Sequence, residues 1–129
     1  MTLFAKLISV CFFTIFATST QDNRLYKRWK VIADKRIFLN LDGTSHGGFK
    51  DRVDSIKSDT VFIELFQDGK FKSVDGNGTF TVFGDSIALK LPDGESPFRY
   101  KIKDDSLYLS IDNTRDDYIR REVLHAVKI

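Results

Sequence analysis

Few residues in this 129-residue chain have the types and spacing to do chemistry: two histidines, His46 and His125, an arginine pair at Arg120 and Arg121, and scattered carboxylates. The single cysteine, Cys11, lies in an apolar N-terminal run, and no G-x-S-x-G elbow, H-E-x-x-H pair or phosphate-cradling glycine loop is expected. The acidic pairs Asp104-Asp105 and Asp116-Asp117 fall in turn-forming stretches, where solvation explains them without the raised pKa of a general acid. A metal needs several strong ligands within bonding distance, and the two histidines are expected at opposite ends of the fold. "DGNGT", Asp75 to Thr79, starts like a calcium loop but lacks the later acidic ligands. It reads instead as a hairpin turn with Asn77-Gly78 at its tip. The expectation is no catalytic residue, no metal, no cofactor and no enzyme.

The elements that must position these residues are strands. "RWKVIADKRIFLN", "TVFIELF", "KFKSV", "TFTVF", "SIALKL", "FRYKIK", "SLYLSI" and "YIRREVLHAVKI" alternate apolar and polar positions, the mark of strands with one buried face. Ahead of them, "MTLFAKLISVCFFTIFATS" has the layout of a secretory leader, with Lys6, an apolar run too short to span a bilayer, and small residues at its end. Residues 1–19 are therefore expected to be a signal peptide and 20–129 one domain, exported to a periplasmic, cell-surface or secreted location, with no transmembrane segment in the mature chain. Without the leader, nineteen basic residues face eighteen acidic ones. That balance gives no electrostatic basis for binding nucleic acid. With no cysteine left for a disulfide, stability must come from one packed core.

Eight consecutive strands with short turns run antiparallel, and their loops alternate between two ends. Asp68-Gly69, Gly84-Asp85 and Asp104-Asp105 sew one end shut. The other receives "NLDGTSHGGFKDRVDSIKSD", the turn near Asn77, "PDGESP" and "NTRDD". Such a chain best removes its exposed edges by closing, so the expected fold is all-β, an eight-stranded antiparallel up-and-down barrel. Phe49, Val53 and Ile56, spaced at four and three, suggest a short helix in the first long loop, either a lid over the mouth or a packed surface helix.

Parity then assigns candidates. If His125 and Arg121 face inward with Ile119 and Val123, His125 plugs the closed end beneath Trp29 and Arg121 offers bidentate donors to a carboxylate near the mouth. The opposite register turns Tyr118, Leu124 and Ala126 inward and leaves Arg121 paired outside, because a one-residue slip exchanges every face. Tyr100 adds a hydroxyl on the apolar face, for a ligand or for one internal partner. Phe71, Phe80 and Phe98 would line a cavity or fill it, with Phe49 at the mouth.

"LFQDGKF", "GTFTVFGDSIAL" and "YKIKDDSLYLS" together resemble the small bacterial lipocalin-like domain, over about Trp29 to Val123. The resemblance implies an eight-stranded barrel, export or surface exposure, and a small apolar ligand or none known. Trp29 matches that family's early tryptophan, but "YKRWK" lacks the glycine two residues before it, and the tryptophan-stacking arginine is not transferred to Arg120 or Arg121. Two functions follow as expectations: a carrier of a small apolar or fatty-acid-like ligand, or a solid barrel that binds a protein partner through its surface.

Overall fold

The computed structural model describes residues 22–129; the expected leader lies outside them. Nine strands are formed: β1 Arg28–Leu39, β2 Arg52–Ser55, β3 Phe62–Leu65, β4 Lys70–Ser73, β5 Gly76–Phe83, β6 Ser86–Leu91, β7 Gly94–Lys103, β8 Ser106–Thr114 and β9 Ile119–Lys128. Consecutive strands from β3 to β9 pair antiparallel, β3 and β9 both pair with β1, and the sheet closes into the expected barrel. β2 and β3 occupy one strand position between them. β2 runs beside Ala33 to Arg36 and β3 beside Arg28 to Lys30, with residues 57–60 looped out between.

The segment expected to be helical is β2, and the described residues contain no helix except a 3-10 turn at Asn23–Leu25. The reason lies in β1. Its upper half would expose a row of unpaired backbone groups, which is costly when it can be avoided. The segment containing Val53 and Ile56 satisfies it, Ile56 N–H donating to Ile32 O at 2.9 Å and the Asp51 side chain accepting from Phe38 N–H at 3.0 Å.

A bulge in β1 sets the chemistry of the interior. Val31 lies opposite Ala126, but Ala33, not Ile32, lies opposite His125. The extra residue switches the strand's faces. Below it Trp29 and Val31 point inward, as their alternation suggests; above it Ala33 turns outward and Asp34, Arg36 and Phe38 share the inner face with Leu124, Glu122 and Arg120, the residues directly opposite them.

Below the bulge the barrel is filled. Val31, Ile63, Leu65, Phe71, Ile87, Leu89, Phe98 and Leu107 are each at most 2% exposed, with Phe80 at 8%. A cavity beside them would register as accessible surface, so protein atoms occupy this space. The bottom is closed by the N-terminal segment: Leu25 is fully buried, and its carbonyl accepts from the Trp29 indole N–H at 3.0 Å. The cation near that indole is Lys27, with Nζ 5.7 Å from the ring centre.

Two hairpins are tighter than the sequence suggests, while the turns at Asp68-Gly69, Gly84-Asp85 and Asp104-Asp105 fall where it places them. β4 and β5 turn at Val74 and Asp75, not at Asn77-Gly78, and β6 and β7 turn at Pro92 and Asp93. Gly78 lies within β5 opposite Phe71, whose ring fills the space a side chain would need. The Ser73 hydroxyl secures the true turn by donating to Gly76 O at 2.9 Å. Pro97 lies in β7 just above the last β7–β8 pair, Arg99 with Ser110, where its missing N–H interrupts no ladder. The open end therefore has one long loop, residues 40–51, rather than several.

Candidate functional site

The mouth of the barrel holds two layers. On the inner face lie Asp34 and Arg36 of β1, which the bulge turned inward, and Glu122 and Arg120 of β9, which continue the inward row of Ala126 and Leu124. Arg36 Nε donates to Glu122 Oε1 at 2.8 Å, and Glu122 is only 7% exposed. Arg120 approaches the same carboxylate oxygen, with Nε 3.9 Å from Oε1, an ion pair too long for a hydrogen bond. Arg120 Nε is shielded from solvent and reaches no hydrogen-bond acceptor among the described residues.

Above this charged layer, four rings from three elements meet. Phe38 of β1, Tyr118 before β9, and His46 and Phe49 of the long loop have centroid separations of 4.8 to 6.0 Å. Phe49 thus stands at the mouth as expected, carried by a loop and not by a helical lid. It remains 47% exposed, and Leu41 of the same loop is 56% exposed. A cluster of exposed apolar side chains is a usual mark of a binding surface.

The other sequence-derived candidates do not converge here. The register follows the second alternative: Arg121 stands on the outer face opposite Asp112, in a bidentate pair at 2.7 and 3.0 Å. That pair holds the Asp112 carboxyl below its usual range. His125 is also outside, stacked on Tyr108 at 4.4 Å with Nε2 3.0 Å from Ser106 Oγ, so it is no plug beneath Trp29. Burial, and Lys35 nearby, lower its pKa.

Tyr100 faces the closed end, where its hydroxyl lies 2.9 Å from Asp22 Oδ2 and 3.1 Å from Gly84 O. Desolvation and the Asp22 carboxylate raise the phenol to about 12, and Asp22 is held at about 2, chiefly by the Arg24 side chain and then by Tyr100. Phe80 is core. Phe71 and Phe98 are core residues that each reach a surface recess, one of about 320 Å³ with Phe66 and Lys72, the other of about 330 Å³ where β7 and β8 part above Arg99.

Sequence reading passed over the inner charged layer. Its only trace was the repeated charge at alternate positions, Asp34 with Arg36 and Arg120 with Glu122. A second omission is catalytic in spelling: Gly43-Thr44-Ser45-His46-Gly47 matches G-x-S-x-G. The pattern acts through a strained turn from strand to helix, whereas here it occupies a loop between strands. His46 Nδ1 accepts from Gly48 N–H at 2.9 Å, and its ring stacks on Phe49.

Among the described residues, no group of three or more His, Cys, Asp or Glu is placed to hold a metal ion, and no helix is long and apolar enough to cross a membrane. A scan against protein-family models and searches of curated proteins and of solved structures return no match to this chain.

Proposed function

We propose that this barrel is an exported, non-enzymatic binding protein for a small amphiphile with an anionic head group, held at the mouth rather than in a deep calyx. The observation that carries the reading is Arg120: a guanidinium on the inner face, its Nε dry and without a hydrogen-bonded acceptor, beneath an aromatic rim. A carboxylate supplies two acceptors in the geometry that arginine donates. Phe38, Phe49 and Tyr118 give the apolar body a surface to rest on. Arg36 is already engaged by Glu122, which leaves Arg120 as the recognising cation. The lipocalin-like resemblance is compatible with this reading, but the filled lower barrel moves the ligand upward.

Titration of the chain from Gln21, stripped of ligand, with a fluorescent fatty acid and the matching alcohol tests the proposal. Saturable binding is expected, tighter for the acid, with amide NMR shifts concentrated at Phe38, Phe49, Tyr118 and Arg120. Absence of saturation, or shifts confined to the two outer recesses, overturns it and favours the solid barrel that acts through its surface.

A further inference from the structure

β2 is hydrogen-bonded along one edge, and its other edge is open over its whole length. It pairs only with β1, and Arg52, Val53 and Asp54 are 64%, 62% and 61% exposed. The Ile56 N–H to Ile32 O bond fixes the phase of its ladder. In an antiparallel pair, alternate residues direct both backbone groups to the same side. Arg52, Asp54 and Ile56 therefore face β1, and Asp51, Val53 and Ser55 present their N–H and C=O groups to the open edge.

We infer that this edge pairs with the same edge of a second copy, antiparallel about a two-fold axis at Val53. Charge selects the register. An axis at Arg52 or at Asp54 sets like charges directly opposite, and one at Asp51 opposes two carboxylates. Axes between residues put an edge-facing group against one that faces β1. The axis at Val53 alone places Arg52 of each copy opposite Asp54 of the other, with Val53 against Val53 and Asp51 against Ser55. Cross-strand pairs of opposite charge stabilise a sheet, while like pairs oppose it. Short, charged edges discourage indiscriminate pairing, so the strand that resists aggregation is also one that specifies a single partner. The contact is isologous, as two-fold dimers require. It involves few residues, well under the roughly 1,000 Å² that a stable interface clears, so association is weak and reversible.

Sedimentation equilibrium from micromolar to millimolar concentration tests this. The unaltered chain should approach a dimer. V53P should lower the association constant at least tenfold while leaving the fold unchanged by circular dichroism, because the N–H it removes faces the open edge and not β1. R52D and D54R should each be monomeric alone, since each sets like charges opposite. Mixed, they should form a heterodimer, the acid introduced at position 52 meeting the base introduced at position 54. A wild-type chain that stays monomeric throughout, a V53P variant that dimerises unchanged, or a mixture no more associated than its parts would each overturn the inference. None of these outcomes depends on what the mouth binds.

Discussion

Replacing Asp22 by asparagine should remove a pH-dependent latch that closes the bottom of the barrel. The carboxylate accepts from the Arg24 backbone N–H at 3.1 Å, from its guanidinium at 2.9 and 2.7 Å, and from the Tyr100 hydroxyl at 2.9 Å. Together these lower its pKa from 3.8 to about 2. At 1.36 kcal/mol per pKa unit that gap is worth at most about 2.4 kcal/mol. Arg24 is 63% exposed, so solvent screens the largest contribution, and about 1 kcal/mol is the realistic figure. Because the folded pKa is depressed, the stabilisation is complete above pH 3.8 and is lost as pH falls through about 2. Urea denaturation should therefore find Asp22→Asn about 1 kcal/mol less stable than the unaltered chain at pH 7, with the difference shrinking between pH 4 and pH 2. Tyr100 supplies the alkaline counterpart. Its folded pKa of about 12 lies above the ordinary 10, so its contribution is full below pH 10 and is lost as pH rises to 12. A stability difference that stays constant from pH 7 to pH 2 would refute the ionic latch.

Gly78→Ala should destabilise the barrel by about 3 kcal/mol or more, read as a fall in thermal midpoint, because the added Cβ would lie 2.0 Å from Lys90 O and 2.7 Å from Phe71 Cε1. Phe49→Ala should cost about 1 kcal/mol of stability, since the half-exposed ring packs on Phe38, His46 and Tyr118. It should weaken the binding of acids and alcohols alike in fluorescence titration, because the ring has no part in reading the head group.

The strands were legible because their alternation is a direct consequence of one buried face. What escaped notice has physical causes. A bulge adds one residue and leaves no mark in the pattern, so strict alternation from Trp29 and Val31 carries Ala33 inward and hides the inward turn of Asp34 and Arg36. β9 is ambiguous because both of its faces are apolar: Ile119, Val123 and Val127 on one, Leu124 and Ala126 on the other. Parity alone could not choose between Arg120 and Arg121. β2 carries apolar spacing that suits a helix, and only the unpaired edge of β1, a tertiary fact, makes it a strand. Asn77-Gly78 is strong turn chemistry, but the need for a side-chain-free position against Phe71 placed it inside β5. The aromatic rim joins residues 38, 46, 49 and 118, which no local pattern could connect.

Arg120→Gln and Arg121→Gln, adjacent residues on opposite faces of one strand, test the central claim most directly when each is titrated with a fatty-acid probe and its alcohol. A charge-assisted hydrogen bond is worth about 1.5 to 3 kcal/mol, or roughly ten- to a hundredfold in affinity. Arg120→Gln should lose that factor for the acid and little for the alcohol, whereas Arg121→Gln, which breaks only the outer pair with Asp112, should bind both as the unaltered chain does. Equal losses in the two variants, or an acid affinity indifferent to Arg120, would contradict the proposed mouth.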